Sequence, residues 1–194
     1  MIPIRHSAFV IRHFSRAFTL IETLVVVTLV ALLLTLSINS LSGAINAQRL
    51  STAAALLEND LRMTAILAVK ENRPIYLRFT QTGEPPQYRG WQLVGPDPAT
   101  GTLQELSTPQ KLPEGVVFLD HEDFSNILQL DPIAGYGLFF GYTRSGDTTL
   151  PKSTGSRWCL TLAEEARIIP DAETPPKNYR TLVINAHTGS VAVY

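Results

Sequence analysis

Apolar and polar positions follow three different rhythms along the chain. From Phe18 to Leu36 there is almost none, because Thr19-Leu20-Ile21-Glu22-Thr23-Leu24-Val25-Val26-Val27-Thr28-Leu29 and the residues after it hold one ionisable group, Glu22. As a helix this run is about 28 Å long, close to the roughly 30 Å hydrocarbon core of a bilayer. Farther on, Leu50, Ala54, Leu57, Leu61, Ala65 and Ala68 recur at three- and four-residue steps, one apolar stripe of an amphipathic helix. No strong breaker intervenes before Pro74, so one helix is predicted from Phe18 to about Glu71, roughly 80 Å long. Asn39, Ser40, Ser42 and Gly43 form a soft spot for bending or fraying. Asn72-Arg73-Pro74 stops the helix, since proline disfavours α conformation in the residue before it.

From Pro74 onward the period becomes two. Ile75, Leu77 and Phe79 alternate with Tyr76, Arg78 and Thr80, a half-buried strand. Gly83-Glu84-Pro85-Pro86 turns the chain into a partner strand over Tyr88–Val94, and Gly95–Pro109 reads as a loop. Val116–Leu119, Gly137–Thr143 and Arg157–Leu162 read as further strands, with turn-rich Arg144–Gly155 before the last. Ala163–Lys177, with three prolines, reads as irregular, and Arg180–Asn185 with Ser190–Tyr194 as a closing hairpin. About seven short strands and one long helix predict an α+β fold, antiparallel sheet folded against the outer half of the helix.

Composition sharpens this. The chain has 194 residues, 45% hydrophobic and a formal net charge of -1, which suits one packed domain and excludes a disordered or broadly basic chain. A single cysteine, Cys159, excludes an intrachain disulfide and a Cys-rich zinc site. Arg5, Arg12 and Arg16 precede the apolar run without any acidic residue, which places the N-terminus on the cytoplasmic side. Three readings of the run compete. A secretory signal peptide would have a shorter apolar core, about 7–15 residues, although Ser42-Gly43-Ala44 fits its small-x-small cleavage pattern. A plain anchor has no use for Glu22, because a carboxylate in the bilayer costs about 2.5–3.5 kcal/mol. The third reading gives Glu22 a partner. A cut before Phe18 would create an α-amine at the membrane edge, and a neighbouring helix shifted along its axis could bring that amine to the carboxylate. Against this stands a Glu22 near the interface whose carboxylate snorkels to water.

Arg16-Ala17-Phe18-Thr19-Leu20-Ile21-Glu22 resembles the class III signal of type IV prepilins and type II secretion pseudopilins. The resemblance implies cleavage between Ala17 and Phe18 by prepilin peptidase, N-methylation of Phe18, and Glu22 as the assembly carboxylate. The family usually has glycine before the cut where this chain has Ala17. It implies a leader over 1–17, a transmembrane half of the helix over 18–41, an amphipathic half over 42–72, and a periplasmic antiparallel β domain over 73–194. Leu61-Arg62-Met63-Thr64-Ala65-Ile66 with Asn72-Arg73-Pro74-Ile75 is similar to the helix-to-strand junction of H-type minor pseudopilins. Asn72–Pro74, Leu112–Val116, Ser145–Asp147, Trp158–Leu162 and Ile184–Gly189 resemble the pattern of the prepilin-like Verru_Chthon cassette protein D group, in which Cys159 stands at an apolar position and reads as a small core residue.

Chemistry is sparse elsewhere. Asp120-His121-Glu122-Asp123 is the densest polar cluster; adjacent side chains diverge, and His187 is the only other histidine after the leader, so a solvated acidic loop is favoured over a metal site. No nucleophile elbow, P-loop, HExxH or GxGxxG occurs, so no catalytic, cofactor-binding or metal residue is expected. Trp91, Phe139, Phe140 and Trp158 read as core; Tyr179 with Arg180, and Arg144 with Arg157, are the basic or stacking candidates. No Lys or Arg follows Arg180, and nothing in the charge balance favours nucleic acid as a partner. The expected function is a structural subunit, not an enzyme. It would sit in the bacterial inner membrane as a single-pass protein, N-terminus cytoplasmic and C-terminal domain periplasmic, ready for extraction into a filament. Its expected partners are prepilin peptidase, other pilin or pseudopilin subunits, an inner-membrane assembly platform and membrane lipid. The alternative is a membrane-tethered module binding DNA or a secreted substrate through the loops Gly95–Pro109 and Ala163–Lys177.

Overall fold

The structure, a computed structural model, describes residues 19–131, 137, 139–152, 157–168 and 174–194, with the side chains of 36–42 and of Phe139 outside the description. The chain divides into two units, Met1–Ser42 and Gly43–Tyr194. Helix α1, Leu20–Lys70, contributes to both. Helical hydrogen bonding continues through the soft spot at Gly43 without fraying.

In the second unit α1 buries Leu50, Ala53, Ala54, Leu57, Leu61, Thr64 and Ala68, which puts most of the recurring stripe into the core. The helix ends for a more specific reason than Pro74. Asn72 takes a left-handed φ of 50°, the Asn72 N–H donates to the Val69 carbonyl at 3.2 Å, and the Arg73 N–H donates to the Ala68 carbonyl at 3.2 Å. This is a Schellman cap with asparagine in the glycine position, and it satisfies carbonyls that the last turn leaves open.

Nine strands follow among the described residues. The first sheet holds β1 (Ile75–Thr82), β2 (Gln87–Pro96), β3 (Leu103–Glu105), β4 (Gln110–Lys111) and β6 (Phe139–Tyr142), ordered β3-β2-β1-β6 with β4 also on β2. The second holds β5 (Val116–Phe118), β7 (Trp158–Glu164), β8 (Tyr179–Ile184) and β9 (Val191–Val193), ordered β5-β7-β8-β9. All pairings are antiparallel. One apolar cluster joins α1 to both sheets. Phe79 and Trp91 of the first sheet meet Phe118 of the second edge-on, at ring separations of 5.3 Å and 6.2 Å.

Several expectations change: nine strands form among the described residues where about seven were expected, and β7 runs on through Ala163 and Glu164, which read as irregular, because both pair with β5. Gly95–Pro109 is not all loop, because its Leu103–Glu105 segment folds back as β3 onto Val94–Pro96. Cys159 is not a core residue. Leu160 and Leu162 take the core face of β7, so the period of two turns Cys159 to the other side, half-buried, where its thiol lies 3.5 Å from the Asn126 side-chain oxygen.

Candidate functional site

The site built from the sequence lies at the start of α1. Ala17, Phe18 and the arginine-bearing leader 1–17 are outside the described residues. Thr19 is the N-cap. Its carbonyl accepts the Thr23 N–H at 3.2 Å, and its hydroxyl accepts the Glu22 N–H at 3.3 Å. With Thr19 at N-cap and Glu22 three residues inside, the segment has the capping-box spacing. Sequence reasoning passed over this role, although Thr-x-x-Glu ahead of an apolar run is its usual signature. Only half of the box is closed: the Glu22 N–H is engaged, whereas its carboxylate makes no hydrogen bond or ion pair among the described residues.

The other polar groups in the run are neutralised locally. The hydroxyls of Thr23, Thr28 and Thr35 each donate at 2.8 Å to a carbonyl three residues back, on Leu20, Val25 and Leu32. Such back-bonding lets threonine sit in an apolar environment without an unpaired group. Glu22 is therefore the one polar side chain between Leu20 and Thr35 that has no partner among the described residues. Around it every side chain is exposed, Leu20 by 83%, Ile21 by 71% and Leu33 by 61%. An apolar surface of this extent requires lipid or protein to cover it. Among the described residues no helix is long and apolar enough to cross a membrane. The apolar run of the sequence extends into 36–42, whose side chains lie outside the description.

The remaining candidates are scattered. In the Asp120–Asp123 segment the Asp120 carboxylate accepts from Gln129 at 2.8 Å, and His121 Nδ1 accepts the Asp123 N–H at 3.3 Å. His187 sits on the β8–β9 turn, its N–H bound to the Asn185 side chain. Among the described residues no group of three or more His, Cys, Asp or Glu side chains is placed to hold a metal. Trp91 and Phe140 are core, and Trp158 is partly buried with its indole N–H on the Pro151 carbonyl at 3.0 Å. Arg144 and Arg157 are exposed, and Arg180 donates to the Tyr179 carbonyl.

The second unit also carries a groove of about 610 Å³. One wall comes from 118–124, the other from 166–168 and 174–177, so half of it is the segment read as an irregular loop. The β5–β7 pairing brings these walls together, a contact that local pattern does not reveal. Tyr88 stands beside the first wall, its phenol held above its ordinary pKa first by burial and then by the Asp120 charge.

Residues 12–38 match the family model of the prokaryotic N-terminal methylation motif. No curated protein matches the chain. Among solved structures, the minor pseudopilin EpsH from the Type 2 Secretion System of Vibrio cholerae is similar at a TM-score of 0.48 and 11% identity, over 75% of this chain and 96% of that one. A crystal structure of the minor pseudopilin EPSH from the type II secretion system of Vibrio cholerae gives 0.44 and 14%, over 75% and 93%.

Proposed function

We propose that the protein is a prepilin-like structural subunit, a minor pseudopilin, that assembles into a type II secretion pseudopilus or type IV pilus-like filament. The observation that carries this reading is Glu22: a carboxylate with no partner among the described residues, in an apolar run whose described threonines are bonded to the helix itself, within the segment that matches the methylation motif. Prepilin peptidase would cut between Ala17 and Phe18 and methylate Phe18. The new amine of one copy would then pair with Glu22 of the next. Breaking such a pair in a low-dielectric setting strands a charge, which fixes the axial stagger between neighbours. Before assembly the subunit would rest in the inner membrane with Gly43–Tyr194 in the periplasm, and its work would be packing rather than turnover. Within the wider class, its sequence pattern supports the Verru_Chthon cassette protein D group.

The test has two parts. The intact mass of the mature protein from its host should correspond to a chain starting at Phe18 plus one methyl group. A start at Ile45, or an untrimmed Met1, would refute the processing. Glu22→Ala should be cut normally yet fail to enter filaments; normal incorporation would remove the role given to Glu22. The second reading, a tethered binding module, has one observation in its favour, the groove lined by 166–168 and 174–177.

A further inference from the structure

Charge is unevenly placed along α1 in the second unit. Two turns stack on the Lys70 end of the helix. A Cβ added at Gly146 would lie 3.5 Å from Val69, and one added at Gly189 would lie 2.6 Å from the Gly146 carbonyl oxygen. The acids at this end are already engaged. Glu71 pairs with Arg73, Asp147 takes Lys152, and Asp97 Oδ1 accepts the N–H groups of Ala99 and Thr100. Asp97 belongs to this end because Arg73 donates to the Pro96 carbonyl beside it. The cap at Asn72 and Arg73 occupies carbonyls of the last helical turn. Lys70 and Arg144 are left exposed, with no hydrogen bond or ion pair among the described residues.

The opposite end has the reverse excess. Asn46 and Arg49 line a cleft there with Glu114, Glu164 and Glu165. Its cations Arg89 and Arg167 are engaged by Glu165 and Glu164. A Cβ added at Gly83, next to Glu84, would lie 3.8 Å from Arg89 Nε, which brings the β1–β2 turn to the same end. Asp120 and His121 adjoin it, facing Pro86 and Gln87 across the groove. Glu84, Glu114 and Glu122 are exposed, their carboxylates unpartnered among the described residues, and Asp120 is bonded by neutral Gln129. Two cations stand against these acids. Arg49 donates to the Glu114 carbonyl at 3.4 Å, and Lys177 adjoins the Asn178 that bonds Glu164. After the leader, the undescribed residues carry two charges, Asp171 and Glu173, both negative, so no hidden cation evens the balance.

We infer that copies of this chain dock end to end, the Lys70 and Arg144 surface of one on the Glu84, Glu114 and Glu122 surface of the next. Unlike charges then meet, and like ends repel. The two surfaces are different patches of one molecule, so the contact is heterologous and propagates from copy to copy. Positions 49 and 70 are about 30 Å apart along the helix, so copies lying at one level do not meet this way. The filament reading supplies the setting, but the contact itself needs neither cleavage nor Glu22.

The experiment mixes isotopically light and heavy full-length protein in a neutral detergent and adds a water-soluble carbodiimide, which joins an amine to a carboxylate in contact with it. Light–heavy cross-links are expected from Lys70 to Glu84, Glu114 or Glu122, about tenfold fewer at about 0.5 M salt than at about 0.05 M, where screening is weaker. Lys70→Glu with Arg144→Glu should abolish them and leave the melting temperature unchanged, since both side chains are exposed. Mixing that protein with one carrying Glu84→Lys, Glu114→Lys and Glu122→Lys should restore cross-linking, with amine and carboxylate exchanged. Glu22→Ala protein should give the parent's yield, so failure of the Glu22 role and failure of this contact are told apart. Cross-links confined to single molecules, a yield indifferent to salt, or no return on mixing would overturn the inference. So would a DNA duplex held by Lys70 and Arg144 without contact between copies, which gives that end another occupant.

Discussion

The contact between Asp60 and Trp91 lends itself to a quantitative test, because it ties α1 to the first sheet through one side-chain hydrogen bond. The Trp91 indole is 1% exposed and its Nε1–H donates to Asp60 Oδ2 at 2.8 Å. Asp60→Ala removes the acceptor and leaves a buried donor with none. A hydrogen bond to a charged group contributes about 1.5–3 kcal/mol. Alanine returns up to about 0.7 kcal/mol through better helix propensity. The expected net loss is about 1–2 kcal/mol. For a domain of this size that lowers the melting temperature by about 3–6 °C. The assay is thermal unfolding followed by circular dichroism, on the parent, Asp60→Ala, Trp91→Phe and the double variant. Trp91→Phe carries its own packing cost, but afterwards Asp60 has nothing to accept. Asp60→Ala should then cost almost nothing, a coupling of about 1–2 kcal/mol. If Asp60→Ala costs the same in both backgrounds, the bond contributes nothing to stability and the reasoning fails.

Two further expectations concern the turns. Gly189 has φ 69°, and an added Cβ would lie 2.6 Å from the Gly146 carbonyl and 2.8 Å from the Tyr142 ring, so Gly189→Ala should destabilise by more than about 2 kcal/mol; an unchanged urea midpoint would contradict this. The Asp147 carboxyl is held well below the ordinary carboxylate range by hydrogen bonds from Lys152, then from the hydroxyls of Thr143 and Ser145. A depressed folded pKa means that its stabilisation is complete above about pH 4 and is lost as pH falls below it. Acid titration should therefore separate the parent from Lys152→Met above about pH 4 and bring the two together below; parallel curves from neutral to strongly acid pH would dismiss it.

Much of this architecture is legible from the residues alone. The stripe from Leu50 to Ala68 repeats with the helical period, and Ile75, Leu77 and Phe79 alternate with polar neighbours, so both segments announce themselves locally. The α+β class follows from the change of period at Pro74. Other features are set by contacts distant in sequence. The strands separate into two sheets because β6 pairs with β1 and β5 with β7, across long intervening segments. β3 and β4 have too few residues to show any period. Cys159 is placed by its strand neighbours and not by its own character. At the candidate site the position of Glu22 was evident from its isolation in an apolar run. The cap by Thr19 was obscured by that same run, where threonines look like mere interruptions. The groove was half visible, as a proline-rich segment, and its other wall was not.

The ties from α1 to the rest of Gly43–Tyr194 have a mechanical consequence. Arg49 reaches the Glu114 carbonyl, Asp60 the Trp91 indole and Arg62 the Val191 carbonyl, at successive levels of one helix. A pull along the helix strains all of these together, with the interlocked side chains of Leu50, Leu57 and Leu61 sliding as a block. A force that lifts the helix from one end would instead meet them one after another. Rupture under load is governed by the unfolding rate. Towing this body lengthwise by its helix is thus far safer for the fold than prising it sideways.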